Sequence, residues 1–278
     1  MSIYNQLHKL IKATREKKII PIVTQKDNTE LLRGKTAFIS GGSGGIGKAI
    51  AKALIESGCR VILGGTDYTK LEKCKQELKK TSEINIETVL FDMNSIKEFS
   101  DIVDNLFNKY SSIDIFVSSV GVHTDNLDFW KLKTDEFDRV MDINLKGPYF
   151  ACIEMAKHMR QNNTRGHMLI ISSSRGFEPA WSPYGISKWA LNGMIQGLAQ
   201  QFMEYGITIN GIAPGPTATN LIGISDGDSV FSEETKGKRL LMPGEIAELA
   251  RLMVSDTGEM LSGEVIRFSG GRGVFDIR

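Results

Sequence analysis

The segment Lys35-Thr36-Ala37-Phe38-Ile39-Ser40-Gly41-Gly42-Ser43-Gly44-Gly45-Ile46-Gly47-Lys48-Ala49-Ile50-Ala51 decides the fold class. A short apolar run passes into a turn of small residues, and a helical pattern follows. In such a strand-turn-helix unit, backbone N–H groups at the helix N-terminus can approach a pyrophosphate closely. A merely flexible glycine loop is the alternative, but such loops seldom stand between a strand and an amphipathic helix. The segment therefore predicts a dinucleotide site.

Apolar strands alternate with helical patterns from Lys35 onward, which predicts a Rossmann-type, doubly wound parallel sheet in a three-layer α/β/α fold. A long helix is predicted from Thr134 towards Met159. Ligands of such sheets gather at the carboxyl ends of the strands. The predicted strands are Thr36–Ser40, Val61–Gly64, Glu87–Phe91, Ile113–Ser118, Met168–Ser172, Thr208–Ile212 and Val265–Phe268. We expect one rim of the sheet to collect the residues that follow them, namely Gly41, Asp92, Ser118, Ser173 and Pro214.

No repeat or low-complexity linker divides the 278 residues, so we predict a single domain with an N-terminal extension. The extension is assigned to residues 1–33 and the dinucleotide-binding and catalytic domain to residues 34–278. Apolar residues on one face of the lysine-rich N-terminal segment predict an amphipathic helix. The extension is either a loosely packed appendage or a segment that packs on a neighbouring subunit.

Composition excludes several classes of function. The net charge of +1 offers no attraction to nucleic acid or to an anionic membrane surface. No apolar stretch is long enough to cross a bilayer, and the N-terminus lacks the apolar centre of a secretion signal. Cys59, Cys74 and Cys152 are widely spaced and show no zinc pattern, which favours a reducing compartment and no bound metal. We therefore expect a cytoplasmic protein that binds neither nucleic acid nor membrane.

A second polar motif lies in the run Ser182-Pro183-Tyr184-Gly185-Ile186-Ser187-Lys188. A spacing of four places the phenol of Tyr184 and the ammonium of Lys188 on one face of a helix. A nearby cation favours the phenolate, which allows Tyr184 to exchange a proton near neutral pH. Such a pair is often only a solvated surface contact. The glycine turn and the serine run Ser172–Ser174 elsewhere in the chain favour a functional site instead.

Five motifs, in the same order, resemble those of the short-chain dehydrogenases/reductases. More narrowly, they resemble the compact single-domain branch that includes the 3-oxoacyl-carrier-protein reductases. The likeness runs from about Lys35 to Gly271. The motifs are Gly41-x-x-x-Gly45-x-Gly47, the serine run, Tyr184-x-x-x-Lys188, Asn144 within Asp142-Ile143-Asn144-Leu145-Lys146-Gly147, and Ile212-Ala213-Pro214-Gly215-Pro216-Thr217.

The resemblance implies an oxidoreductase that transfers hydride between a nicotinamide cofactor and a carbonyl or secondary alcohol. It implies four catalytic residues: Tyr184 donates the proton, Ser173 holds the substrate oxygen, Lys188 binds the ribose hydroxyls and Asn144 holds a water of a proton relay. Negative charge that builds on a carbonyl oxygen during reduction requires such a donor and a fixed hydrogen bond. The alternative for Asn144 is a helix-interior amide that bonds to backbone.

The choice among the three serines stays open. In relatives the catalytic serine lies three residues before a glycine, and Ser173 stands in that relation to Gly176. However, Ser173 precedes Tyr184 by only eleven residues, slightly fewer than is usual in the family. Ser172 and Ser174 therefore remain alternatives, with strand-end or turn hydrogen bonds as their structural role.

The resemblance also implies the cofactor contacts. Asp92 matches the position that bonds adenine in relatives, with a helix cap as its alternative. After the fourth strand, Ser118-Ser119-Val120-Gly121 replaces the usual Asn-Asn-Ala-Gly, and the serine hydroxyls can support the turn instead of the amides. The implied cofactor-binding residues are Gly41, Ser43, Gly44, Gly45, Ile46, Gly47, Gly65, Thr66, Asp92, Met93, Ser119, Gly121, Tyr184, Lys188, Pro214, Gly215, Thr217 and Thr219.

The cofactor is NADP or NAD, and the end of the second strand favours NADP. An NAD enzyme usually has an acidic residue there to accept the ribose hydroxyls, and by resemblance Gly65 occupies that position. Thr66 can bond a 2′-phosphate. The basic residue of many NADP enzymes is replaced by Gly44, and Asp67 can serve the ribose if the turn is displaced by two residues.

The substrate is left open by the sequence. A 3-oxoacyl thioester on an acyl-carrier protein or on CoA leads, with a sugar, polyol or steroid-like alcohol as alternatives. A mobile lid is predicted over residues 220–241, and the resemblance implies a homotetramer. A sugar-nucleotide epimerase or dehydratase and a non-catalytic dinucleotide-binding scaffold are the other readings. About ninety residues follow Lys188, fewer than the substrate domain of such epimerases usually needs.

Overall fold

The computed structural model describes residues 30–80, 84–125, 128–219, 221, 223–224 and 229–272. Most of the predicted extension, residues 1–29, lies outside these ranges, as do residues 220, 222 and 225–228 of the predicted lid. Leu32 is already part of the core: its side chain is buried and its backbone N–H donates to Ser57 O over 2.8 Å. The division into residues 1–33 and 34–278 stays a prediction.

Within the described residues, seven strands form one parallel sheet in the order β3-β2-β1-β4-β5-β6-β7. The sheet confirms the predicted fold class, and the bounds of each strand lie within two residues of the prediction. Just before strand β4, the carboxylate of Asp114 accepts the N–H of Thr36 over 2.8 Å, and the Asp114 N–H donates to Thr36 O over 2.9 Å. The strands are β1 (Thr36–Ser40), β2 (Arg60–Gly65), β3 (Ile86–Leu90), β4 (Ile115–Ser118), β5 (His167–Ile171), β6 (Thr208–Pro214) and β7 (Val265–Phe268).

Helices cover both faces of the sheet. One buried apolar cluster lies between the sheet and the helices that follow β1 and precede β7, and a second lies on the opposite face. Apolar side chains of the central strands therefore face a core on both sides, as buried parallel strands require, whereas the edge strands are more exposed. The α-helices are α1 (Gly45–Glu56), α2 (Tyr68–Lys79), α3 (Phe99–Tyr110), α4 (Thr134–Met141), α5 (Gly147–Gln161), α6 (Pro183–Phe202) and α7 (Pro243–Met253).

The long helix predicted after Thr134 contains a local change of winding. A π-helical turn over Asp142–Lys146 joins α4 to α5 and carries Asn144. Single π-helical turns inside α-helices are rare and often lie at functional sites. Helical periodicity in the sequence predicts the helix but not this widened turn.

The turn after β1 is fixed by the ends of the two neighbouring strands. The backbone N–H groups of Gly41 and Gly42 both donate to Gly64 O, over 2.9 and 3.0 Å. Gly41 has a φ of +74°, and a Cβ atom at this position would lie 2.7 Å from Ser119 O. Glycine is required at this position because the backbone is left-handed and passes directly against the end of β4.

Gly147 provides a stability test of the junction between the π-helical turn and α5. A Cβ atom there would lie 2.6 Å from both Cβ and O of Met93, although the φ of −57° suits any residue. We expect Gly147→Ala to lower the free energy of unfolding by about 1–3 kcal/mol, because the added methyl group overpacks the core. Urea denaturation measures the change.

Gly193→Ala is the matched control, since a Cβ atom at this helical position of α6 meets nothing within 4 Å. Alanine should there raise the stability by roughly 0.5–1 kcal/mol, because it has the higher helix propensity. Equal effects of the two substitutions would contradict the close contact with Met93.

Candidate active site

A cavity of about 820 Å³ opens at the carboxyl edge of the sheet. It lies where the chain leaves β1, β4, β5 and β6, as expected for ligand sites of doubly wound sheets. The predicted catalytic and cofactor residues that line it are Gly44, Gly45, Ile46, Ser119, Gly121, Ser173, Tyr184, Lys188, Pro214, Gly215, Thr217 and Thr219.

Eight predicted site residues do not line the cavity. Gly41 and Gly47 form the inner side of the glycine turn. The side chain of Asn144 is held by hydrogen bonds behind the residues that line the cavity. Gly65 adjoins Ser43, since a Cβ atom on it would lie 3.8 Å from Ser43 Oγ. The eight are Gly41, Ser43, Gly47, Gly65, Thr66, Asp92, Met93 and Asn144.

Asp92 and Asp67, which follow β3 and β2, make local hydrogen bonds. Asp92 Oδ1 accepts the N–H of Asn94 over 2.9 Å, which closes a turn after β3. The side chain of Asp67 caps α2 by accepting the N–H of Lys70 over 3.1 Å. This bond, together with the charge of Lys70, keeps the pKa of Asp67 below its usual value. The bond of Asp92 is thus a turn bond and not the helix cap considered as its alternative, since Ser95 is the N-cap residue of the 3-10 helix that follows. Asp67 is engaged in capping.

Tyr184 is placed by the first turn of α6. Ser182 caps this helix by accepting the N–H of Gly185 over 3.2 Å, and Pro183 stands at its first position, where the missing N–H has no cost. The N–H of Tyr184 itself donates to Thr124 Oγ1 over 3.2 Å. Thr124 is a buried residue of the segment after β4, so two separate segments fix the start of the helix.

The phenol of Tyr184 lies in a poorly hydrated environment. Burial raises the pKa of Tyr184 above its usual value, because the charged phenolate loses its hydration. A hydrogen bond with Ser173 acts in the opposite direction, as do the positive charges of Arg175 and Arg272. These three groups are therefore the ones that favour the phenolate.

Lys188 is buried one helical turn further along α6. Its Nζ atom donates to Ile171 O over 3.2 Å and lies 5.7 Å from the centre of the Tyr184 ring. Burial lowers the pKa of Lys188 to about 8. Its ammonium thus loses the proton before the Tyr184 phenol does. The expectation that Lys188 favours the phenolate of Tyr184 stays a prediction.

Asn144 connects the π-helical turn to two other elements. Its Oδ1 accepts the N–H of Val122 over 2.8 Å, and its Nδ2 donates to Val122 O over 2.9 Å and to Ser187 Oγ over 3.2 Å. The side chain is fully buried. It bonds to backbone, as its alternative role required, but to the segment after β4 and to α6 rather than within its own helix.

The three serines of the run have different surroundings. Ser173 Oγ accepts the N–H of Arg175 over 3.2 Å, and Ser173 is the one of the three that lowers the pKa of the Tyr184 phenol. Ser172 Oγ instead donates to Asn192 Oδ1 over 2.7 Å, away from the phenol. Ser174 lines the cavity as well. The geometry therefore favours Ser173 over its two neighbours.

In the described part of the chain, the side-chain hydroxyls of two serines at the ends of central strands make no hydrogen bond. Among the described residues, the buried Oγ atoms of Ser40 and Ser118 have no hydrogen-bond partner. The two serines face each other across the β1–β4 pair. The expectation that serine hydroxyls support the turn after β4 is thus not met by Ser118, and the turn relies on the Asn144 amide instead.

Sequence reasoning missed part of the substrate side of the cavity. His123 lines the cavity, and the centre of its ring lies 4.4 Å from the centre of the Tyr184 ring. Burial, assisted by the charges of Lys188 and Arg175, lowers the pKa of His123 below its usual value, which favours the neutral ring. Only its position just beyond Gly121 signalled this proximity.

Four charged residues form a network at the same side. Glu178 accepts a bond from Arg175 over 2.8 Å and a bond from Arg272 over 3.1 Å, and Arg272 is also paired with Glu234. Arg272 and Glu178 are 94 residues apart in the chain. No local sequence signal could have brought this arginine into the site.

The described part of the predicted lid is docked on the turn after β7. The N–H groups of Lys236 and Gly237 donate to Gly270 O over 3.0 and 3.3 Å. Leu240 lines the cavity from this segment, and so does Leu221. The mobility of the lid stays a prediction.

The residues at the carboxyl edge fit a dinucleotide. Gly44 caps α1 without a side-chain acceptor, so the first N–H groups of this helix remain available to an anion. Gly121 leaves room beside Lys188, since a Cβ atom there would already lie 3.4 Å from Lys188 Nζ. The glycine turn would thus hold the pyrophosphate, and the ribose would lie beside Lys188.

Two kinds of site were not found in the residues that the structure describes. In these ranges no group of three or more His, Cys, Asp and Glu side chains could hold a metal ion. No described helix is both long enough and apolar enough to cross a membrane.

Residues 35–226 match the family described as short chain dehydrogenase. The chain is 33% identical over 245 residues to the 3-oxoacyl-[acyl-carrier-protein] reductase FabG of Rickettsia felis, covering 86% of this chain and 97% of the relative. It is 25% identical to 3beta-hydroxysteroid dehydrogenase 2 of Eggerthella lenta over 90% of this chain and 98% of that relative.

Solved structures give the same result. A dehydrogenase/reductase from Sinorhizobium meliloti superposes with a TM-score of 0.79 at 27% identity, over 89% of this chain and 98% of the other. A putative gluconate dehydrogenase from Agrobacterium tumefaciens superposes with a TM-score of 0.80 at 27% identity, over 89% and 99%. These comparisons do not favour the epimerase or scaffold readings.

The buried ammonium of Lys188 gives a prediction for stability against pH. Its pKa is about 8 in the folded protein and is near 10.5 when exposed, so between these values the unfolded chain binds more protons and stability rises with pH. Between about pH 7.5 and about pH 9.5 this group should add roughly 2 kcal/mol to the free energy of unfolding.

Urea denaturation of the wild type and of Lys188→Met at both pH values measures this term. Other groups titrate in both proteins, so the difference between the two pH dependences isolates Lys188. The wild type should therefore gain stability relative to Lys188→Met as the pH rises, and parallel curves would refute the lowered pKa of Lys188.

Proposed function

This chain belongs to the short-chain dehydrogenase family, and we propose that it is an NADPH-dependent reductase of 3-oxoacyl thioesters. The observation that carries the proposal is the meeting of Ser173, Tyr184 and Lys188 with the glycine turn in a single cavity. A phenol with a hydrogen-bonded serine beside it meets the two requirements of carbonyl reduction, a proton donor and a fixed hydrogen bond.

The preference for NADPH rests on the end of β2. No carboxylate follows this strand at Gly65 or Thr66, and Asp67 is occupied as the cap of α2. A 2′-phosphate at this place therefore meets no repelling acid in the position that NAD enzymes use. Thr66 is exposed and offers its hydroxyl to the phosphate.

NADPH, when bound, supplies the hydride that reduces the carbonyl carbon. In our proposal Ser173 donates a hydrogen bond to the carbonyl oxygen, and Tyr184 gives its phenolic proton to the same oxygen as negative charge develops. The charges of Arg175 and Arg272 then stabilise the phenolate that remains, since they lower the pKa of Tyr184. The product is the 3-hydroxyacyl thioester.

Reprotonation of the phenolate is assigned to Lys188 and Asn144. A pKa of about 8 lets Lys188 give and regain a proton near neutral pH, which an exposed lysine cannot do efficiently. Asn144 adjoins the same space, since a Cβ atom on Gly121 would lie 3.4 Å from Lys188 Nζ and 3.7 Å from Asn144 Oδ1. We propose that a water at this place connects Lys188 to solvent.

The substrate class comes from the relative named 3-oxoacyl-[acyl-carrier-protein] reductase and from the lining of the cavity. Apolar side chains of Trp181, Leu221 and Leu240 line the same cavity as Tyr184 and suit a short acyl chain. We propose that the thioester is presented on an acyl-carrier protein or on CoA. Polyols, sugars and steroid-like alcohols are the comparison substrates in the assay.

We further propose that the chain works in the cytoplasm as a homotetramer. Its three cysteines are all buried free thiols, in keeping with a reducing compartment. Large aromatic side chains of α4 and α5 are partly exposed, namely Phe137, Tyr149 and Phe150. Such side chains are enriched in subunit contacts, and sedimentation measures the oligomeric state.

Tyr184→Phe tests the proton transfer. With acetoacetyl thioester and NADPH, we expect kcat to fall by about 10²- to 10⁴-fold, because the carbonyl oxygen loses its acid. NADPH oxidation is followed by absorbance, and cofactor binding by fluorescence should persist. Tyr205→Phe is the control, since Tyr205 is exposed and does not line the cavity. Full turnover by Tyr184→Phe would reject the proposal.

Gly65→Asp tests the cofactor choice. A Cβ atom at Gly65 makes only ordinary contacts of 3.4 Å or longer, so a side chain fits. The new carboxylate should lower kcat/KM for NADPH by about tenfold or more and improve the relative use of NADH, because it repels the 2′-phosphate and accepts ribose hydroxyls. Gly65→Asn has the same shape without the charge and should keep the NADPH preference. A wild type that used NADH equally well would contradict the assignment.

A further inference from the structure

Asn192 lies on the same face of α6 as the two site residues Tyr184 and Lys188. It follows Lys188 by four residues, and a spacing of four repeats one face of a helix. Its side chain is buried, with 7% of its surface exposed. The helix therefore presents a third polar group to the site, one turn behind Lys188.

The amide of Asn192 bonds to both sides of Ser173. Its Oδ1 accepts the hydroxyl of Ser172, at the end of β5, over 2.7 Å. Its Nδ2 donates to Gly176 O, in the 3-10 turn over Ser174–Phe177, over 2.9 Å. Ser173 is the first of the three residues between these two attachment points. One side chain thus ties both of its flanking segments to the helix that carries Tyr184.

The turn that follows Ser173 is pressed directly against α6. A Cβ atom on Gly176 would lie 2.6 Å from Lys188 O and 2.7 Å from Asn192 Nδ2. The hydroxyl of Ser172 also lies 3.5 Å from Lys188 O. The turn that follows Ser173 is therefore packed closely against α6, and the two hydrogen bonds of Asn192 set the position of this turn along the helix.

We propose that Asn192 is a positioning residue, which holds Ser173 beside the Tyr184 phenol by joining Ser172 and Gly176 to α6. This proposal rests on the proposed function in one respect, namely the reaction in which kcat is measured. Asn192 touches neither substrate nor cofactor in this scheme, since it does not line the cavity. Its effect passes through Ser173, whose hydrogen bond favours the phenolate of Tyr184.

The alternative is that Asn192 merely satisfies buried polar groups, which any fold must do. The chain offers a matched case of that kind. Asn210 in β6 is buried, its Nδ2 donates to Leu261 O over 2.6 Å, and its Oδ1 accepts the N–H of Glu264 over 3.0 Å. It makes two bonds of the same type away from the cavity, so it reports the cost of losing such an amide without any effect on Ser173.

The test compares Asn192→Leu with Asn210→Leu, since leucine keeps the branched shape and removes both bonds. Both variants should lose stability by similar amounts in urea denaturation. Asn192→Leu should in addition lower kcat by about 10- to 100-fold with KM changed by less than about threefold, because a displaced catalytic group costs rate rather than binding. Asn210→Leu should keep kcat within about threefold of the wild type.

A second measurement does not depend on the substrate. The ultraviolet titration of Tyr184, taken as the difference between each protein and its Tyr184→Phe version, should shift to higher pH in Asn192→Leu and not in Asn210→Leu. The shift follows from the lost Ser173 bond. If the wild type fails to reduce 3-oxoacyl thioesters, the proposed function fails while this titration still tests Asn192.

Ser172→Ala removes only one of the two bonds and guards against a misfolded Asn192→Leu. Ser172→Ala should lower kcat by about threefold. The double variant of Ser172→Ala and Asn192→Leu should have the same kcat as Asn192→Leu alone, because both substitutions break the same connection between the serine run and α6. The proposal is overturned if Asn192→Leu loses no more kcat than Asn210→Leu with an unmoved Tyr184 titration. It is also overturned if the effects of Ser172→Ala and Asn192→Leu simply multiply.

Discussion

Parallel pairing of the central strands is the constraint on which the site depends. The register sets Ser40 of β1 beside Ser118 of β4, and Ser118 beside Ile170 of β5. Because parallel strands end at the same edge, the residues that follow each strand are delivered to one place. Because Gly41 passes close to Ser119 O, the backbone of the glycine turn is sterically restricted at this point. A slip of one residue would turn each of these groups to the other face of the sheet.

Burial at that edge determines the protonation chemistry. It raises the pKa of Tyr184 and lowers the pKa of Lys188 to about 8, so the pKa of the lysine falls below that of the phenol. Both shifts have the same cause, since a poorly hydrated site disfavours the charged form of either group. The positive charges of Arg175 and Arg272 act against this rise in the pKa of Tyr184. The lowered pKa of Lys188 brings its titration closer to neutral pH than that of a surface lysine.

The sequence predicted the fold and the centre of the site well, because both depend on local patterns. Strand periodicity located β1 through β7 to within two residues, and the glycine turn and the spacing of Tyr184 and Lys188 identified two parts of one cavity. The choice of Ser173 among three serines needed the structure, since only distance separates them. Arg272 could not be predicted either, because its partner Glu178 is 94 residues away. The π-helical turn is likewise set by tertiary contacts rather than by helix propensity.

The placement of Tyr184 follows from how α6 is held, which involves three polar links at successive turns. Thr124 accepts the N–H of Tyr184, the Asn144 amide donates to the Ser187 hydroxyl, and the Asn192 amide holds the serine turn. Each of these bonds reaches a different segment of the chain, so α6 cannot shift along the sheet without breaking at least one of them. Polar bonds are directional and buried ones are costly to leave unmade. Apolar packing alone would let the helix slide along the sheet, whereas these links fix its register and hence the distance from phenol to serine.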